Sequence, residues 1–107
     1  MTEIDYDKLV RDRIPEIIEA SGKQCSTHRV SNSAEKTEYL VKKIEEELEE
    51  YQESANKEEL ADLLEAFYSL LEMENLDLDD LERIRIKKKE KRGGFEKGII
   101  LEQVKEK

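Results

Sequence analysis

An all-α fold is predicted by three observations. Apolar residues recur at steps of three and four across residues 40 to 71, the period of amphipathic helices. Charged residues make up 44% of the 107-residue chain, with one proline and four glycines, a composition that suits helices and not a sandwich or barrel. A break at Ser54-Ala55-Asn56 divides the periodic stretch and is long enough only for an antiparallel helix hairpin.

The chain begins with an extended lead-in to a short helix, Lys-Leu-Val-Arg-Asp-Arg-Ile-Pro-Glu-Ile-Ile, residues 8 to 18. Pro15 suits the first helical position, and Gly22 suits a C-terminal cap. Lys8, Arg11 and Arg13 make this the basic end of an acidic chain, read either as solvated charge or as phosphate-binding cations. Residues 24 to 30 have no helical period, and 25–30 is a candidate for a short strand. His28, in this segment, has no Cys, His or Glu at ligand spacing and is expected to be structural.

Asn32 followed by Glu35 fits a capping box, so the first long helix is expected from about Ser33 to Ser54, with Val41, Ile44, Leu48 and Tyr51 as its apolar stripe. Asn56 with Glu59 repeats the box, which gives Glu59 a purely capping alternative. The second helix runs to about Asn75 with Leu60, Leu63, Leu64, Phe67, Leu70 and Leu71 on its stripe. A third helix is expected from about Asp79, boxed with Glu82, to Arg92, where Gly93-Gly94 stops it. It is nearly all charge after Ile86, so positive charge lies here and negative charge on the hairpin, which suggests one site with two halves. Residues 98–104, with the run Ile99-Ile100-Leu101, are a second strand candidate or a segment packed on the hairpin, and the sequence does not separate the two.

At about 100° per residue, Glu47 and Glu50 fall on one edge of the first stripe, and Glu45 and Glu49 on the other. Glu59 and Asp62 flank the second stripe on the same rotational side as Glu47 and Glu50. Equal flanks meet in an antiparallel pair, so Glu47, Glu50, Glu59 and Asp62 are expected to converge near the turn. Two carboxylates about 4 Å apart repel by roughly 4 kcal/mol at an effective dielectric near 20. They therefore splay into water or hold a cation, and an all-oxygen set suits Mg²⁺ or Mn²⁺ better than zinc.

One domain covering residues 1–107 is the natural reading of this length. Hydrophobic residues are only 36% of the chain, so the hairpin stripes are expected to be buried against a second copy, giving a four-helix bundle core in a homodimer or higher homo-oligomer. The lone Cys25 excludes an internal disulfide and points to a reducing interior. With no apolar run of membrane-spanning length and no signal-peptide pattern, a cytoplasmic location without membrane association is expected. A net charge of -9 argues against general nucleic-acid affinity.

The Glu-Glu-x-x-Glu segment at Glu46, Glu47 and Glu50, followed by Glu-x-x-Asp at Glu59 and Asp62, resembles the metal-binding signature of the MazG-like all-α nucleoside triphosphate pyrophosphohydrolases. Residues 8 to 18, together with Lys-Arg-Gly-Gly-Phe at 91 to 95, resemble a small branch of that superfamily, described as phosphoribosyl-ATP pyrophosphohydrolase-like or house-cleaning. The spacing between Glu50 and Glu59 is shorter than in most of the wider superfamily.

The resemblance implies a hydrolase of phosphorus anhydrides that cleaves nucleoside triphosphates, noncanonical ones included, to monophosphate and pyrophosphate with Mg²⁺ or Mn²⁺. Glu47, Glu50, Glu59 and Asp62 are the expected metal ligands. Glu46 and Glu47 are the expected catalytic pair, Glu46 orienting a water or supporting the ligands from behind. Lys43, Arg11, Arg13, Lys91 and Arg92 are candidates for the phosphates, and Phe95 for stacking on a base. Against these stand a helix cap for the glycines, a core anchor for Phe95 and solvated charge for the lysines. The competing functions are phosphoribosyl-ATP hydrolysis and a non-enzymatic helical interaction module.

Overall fold

The structure, a computed structural model, describes residues 3–106. Its elements are α1 (Ile14–Ala20), α2 (Ser33–Ser54), α3 (Lys57–Met73) and α4 (Leu78–Arg92), with no strand among the described residues. The chain divides between Asn75 and Leu76 into two compact units, the first holding α1 to α3 and the second α4.

Local chemistry accounts for each boundary. Pro15 lies in the first turn of α1, where its missing N–H removes no helical bond, and the helix gives way at Ser21 to Gly22 with φ 91°. The Asn32 side chain accepts from the Glu35 N–H at 2.9 Å and starts α2. That helix ends at Ala55, which takes the left-handed conformation, and the Ala55 N–H donates to the Tyr51 carbonyl at 2.7 Å. Asn56 then caps α3 by accepting from the Glu58 N–H at 3.0 Å.

In the second unit the N-cap of α4 is Asp77, accepting from the Asp80 N–H at 2.8 Å, two residues before the expected Asp79. Glu82, expected in the capping box, instead pairs with Arg85 at 2.7 Å. Gly93 closes the helix with φ 81°, its N–H on the Lys89 carbonyl at 2.8 Å.

Neither strand candidate forms. A strand exists only through a ladder partner, and residues 25–30 and 98–104 lack regular structure; Ile99, Ile100, Leu101 and Val104 remain exposed. Phe95, weighed as a core anchor, is 97% exposed.

The hairpin of α2 and α3 is the first unit's main packing, but its contact side is rotated from the expected seam. Leu40, Ala66 and Leu71 are the buried apolar residues, together with one charged residue, Glu47. Leu40 and Ala66 were not on the stripes read from the sequence. Those stripes instead open outward, with Val41, Leu48, Tyr51, Leu60, Leu64 and Phe67 between 37% and 48% exposed. Ile44, Leu48, Leu60, Leu63, Leu64 and Phe67 line an apolar groove of about 370 Å³.

Candidate metal centre

At the turn end of the hairpin the two helices bring Glu47, Glu50 and Glu59 together, with one carboxylate oxygen from each within 4.8 Å of the others. Glu47 and Glu50 are a helical turn apart on α2, so they share a face. The opposing side chain comes from the first turn of α3, and the tight connection at Ala55-Asn56 keeps it opposite them.

Capping does not account for Glu59. A reciprocal box would direct its carboxylate to the Asn56 N–H. That N–H already donates to the Ser54 hydroxyl at 3.2 Å, and the Asn56 side chain bonds Glu58.

Glu47 is only 3% exposed. Its Oε1 is 3.2 Å from Lys43 Nζ, one turn earlier on the same helix, while Oε2 is sealed from solvent without a hydrogen-bond partner. Burying an unsatisfied carboxylate oxygen is costly, and a cation is the partner that would satisfy it best. Glu59 records the same surplus of negative charge: its carboxyl is pushed from 4.5 up to about 7. A proton on it is held first by donation to Glu47 and Glu50, then by partial burial and by repulsion from the same two groups.

The other candidates have separate surroundings. Asp62 lies outside the three-carboxylate group; its Oδ1 accepts from Arg11 Nη2 at 2.7 Å. Glu46, whose rotation on the helix differs from that of Glu47, is 3.3 Å from Lys8 Nζ. Arg13 pairs locally with Glu16 at 2.9 Å. Glu45 and Glu49 are exposed, a solvated flank. In the second unit, Lys91 and Arg92 occupy the exposed last turn of α4, with Phe95 beyond it.

Asp7 was not among the candidates, and Lys8, read with Arg11 and Arg13 as solvated or phosphate-binding charge, instead pairs with Glu46. With Arg11 they fasten the lead-in to the hairpin, since Tyr39 Oη donates to Asp7 Oδ1 at 2.6 Å. Lys8 stands in the same motif as Arg11, but a motif does not say which side chain of the hairpin each residue meets. Cys25 is no nucleophile candidate, because burial and then Glu19 push its thiol upward.

The donor set fits a hard divalent ion. It is all carboxylate oxygen, it gathers more negative charge than Lys43 neutralises, and it includes an oxygen with no partner. Compared with known protein families, characterised proteins and solved structures, the chain matches none.

The Glu59 shift has a consequence for stability. Below pH 4.5 the group is protonated folded or unfolded and contributes nothing. As pH rises towards 7 the unfolded chain loses a proton that the fold retains, so metal-free stability falls across that window and levels off above it. In chelator, the melting temperature of wild type is expected to drop between pH 5 and 7.5, and Glu59→Gln to drop less. Parallel curves for the two proteins would contradict the repulsion described here.

Proposed function

We propose that this protein is a Mg²⁺-dependent nucleotide pyrophosphohydrolase of the MazG-like all-α type, cleaving nucleoside triphosphates to monophosphate and pyrophosphate. The observation that carries the reading is the cluster of Glu47, Glu50 and Glu59 across the hairpin, with Glu47 Oε2 buried and unpartnered. The motif resemblance supplies the reaction class.

Those three residues would hold the ion, whose chemistry is to neutralise charge on the phosphates of an anionic substrate. The remaining work falls to the chain. Lys43 offsets the charge of one Glu47 oxygen from 3.2 Å away. Glu46, on the neighbouring rotation of α2, is the group proposed to orient the attacking water, and Lys8 fixes its position. Arg11 brings a planar guanidinium, suited to phosphate, to the edge of the cluster through Asp62. The lone thiol accords with a reducing, cytoplasmic setting.

A homodimer belongs to the same proposal. Among the described residues no side chain is fully buried, and the buried apolar ones are Leu40, Ala66 and Leu71. The hairpin's open stripe is continuous across both helices. Burying it against its own copy gives a four-helix core.

Pyrophosphate release over a panel of ordinary and noncanonical nucleoside triphosphates, with phosphoribosyl-ATP included, tests the activity. Turnover that requires Mg²⁺ or Mn²⁺ and stops in chelator is expected. No turnover of any member of the panel with either ion would contradict the enzyme reading.

A further inference from the structure

We infer that Lys43 sets the ion preference of the carboxylate cluster: by holding one oxygen of Glu47 it leaves that ligand a single oxygen to give, which favours Mg²⁺ and Mn²⁺ over Ca²⁺. The inference rests on the cation-binding reading above and adds to it which divalent ions the site takes. Lys43 stood among the phosphate candidates on sequence grounds, and its contact with Glu47 gives it a different part.

The two oxygens of Glu47 differ. Oε1 lies 3.2 Å from Lys43 Nζ, while Oε2 is buried without a hydrogen-bond partner. The two residues stand four apart on α2, where side chains are neighbours on one face. The pair therefore forms within one helix and needs no other element to place it.

It is also well sheltered. Lys43 and Glu47 are 22% and 3% exposed, against 40% and 32% for Lys8 and Glu46 on the same hairpin. Solvent competes little for an ammonium in that setting, and breaking the pair would leave a buried charge uncompensated. Oε1 stays with Lys43 when an ion arrives, and Oε2 is what Glu47 has to offer.

The number of oxygens per carboxylate separates the ions. Mg²⁺ binds oxygen at about 2.0 to 2.1 Å in a near-ideal octahedron and keeps several waters, so one oxygen from each carboxylate suits it. Mn²⁺ accepts the same octahedral oxygen set. Ca²⁺ takes roughly six to eight oxygens at about 2.3 to 2.6 Å and gains from carboxylates that give both. The positive charge of Lys43 opposes every divalent ion alike, so charge alone shifts affinity without shifting preference.

Displacement of Mn²⁺ from the full chain by Mg²⁺ or by Ca²⁺, read as the free-Mn²⁺ signal in electron paramagnetic resonance without nucleotide, gives the ratio of the two affinities. Wild type is expected to bind Mg²⁺ more tightly than Ca²⁺. Lys43→Met removes the ammonium and keeps an unbranched stem; it is expected to move the ratio towards Ca²⁺ by about tenfold, the scale of losing a partner that supports a metal ligand. Lys43→Gln removes the charge but keeps an N–H donor for Oε1, so its ratio should stay near that of wild type. The inference is overturned if Lys43→Met keeps the wild-type ratio, if Lys43→Gln moves it as far as Lys43→Met does, or if wild type itself prefers Ca²⁺. That last measurement stands even where Lys43→Met does not fold. Absence of saturable Mn²⁺ binding by wild type overturns the cation site itself, and the part of Lys43 with it.

Discussion

Glu50→Ala and Glu59→Ala are each expected to lower metal-dependent pyrophosphate release by at least about a hundredfold, without unfolding the chain. Both side chains are half-buried carboxylates from opposite helices, and each supplies one of the three converging oxygens. Losing either leaves two donors and removes a charge that faces the other two. The metal-free fold should therefore tolerate the change: Glu59 already resists ionising up to about pH 7 because of its neighbours. Loss of turnover with a retained or raised melting temperature in chelator separates a ligand from a structural residue. If the interaction-module reading holds, neither variant differs from wild type in metal response. Pyrophosphate release in Mg²⁺ and thermal unfolding in chelator check the two halves of the prediction.

Leu64→Lys is expected to have the largest effect on folding. Leu64 lines the open groove and is 48% exposed in the single chain. If that face is covered by a second copy, an ammonium group placed there is buried twice, once from each protomer. The cost is several kcal/mol, because neither lysine finds a partner among Ile44, Leu48, Leu60, Leu63 and Phe67. With Leu40, Ala66 and Leu71 as the buried apolar core among the described residues, a monomer has little to fall back on. Light scattering should give wild type a mass of twice 12.6 kDa or a higher multiple, and the variant a monomer with reduced helicity. Wild type at monomer mass, or a variant that keeps the wild-type mass, would contradict the dimer. Glu49→Lys, on the solvated flank, should leave the mass unchanged.

Periodicity and capping made much of the hairpin readable in advance. Asn32 and Asn56 start α2 and α3 at the expected places, since a side chain that accepts a backbone N–H acts within three residues and leaves a local signature. The same rule misplaced the start of α4, where Asp77 and Asp79 both offer a capping oxygen and only the backbone shows which is used. Angular counting grouped Glu47, Glu50 and Glu59 because their convergence depends on two helices and a short turn. It also grouped Asp62, which lies with Arg11 instead. Those two residues are far apart in sequence, and nothing in the helical period announces their contact. The buried side was legible only in part: Leu40 and Ala66 are buried, while the more strongly apolar stripe opens outward. Hydrophobicity alone says that a face needs covering, not which neighbour covers it. For residues 98–104 the apolar run was real but had no ladder to join.

The central claim, that Glu47, Glu50 and Glu59 together hold a divalent ion, is tested most directly by electron paramagnetic resonance of Mn²⁺ titrated into the metal-free protein. Saturable loss of the free-Mn²⁺ signal, reversal by excess Mg²⁺, and failure of Glu50→Gln to bind are the predicted result. A free-Mn²⁺ signal that never saturates, or one that Glu50→Gln leaves unchanged, would contradict it.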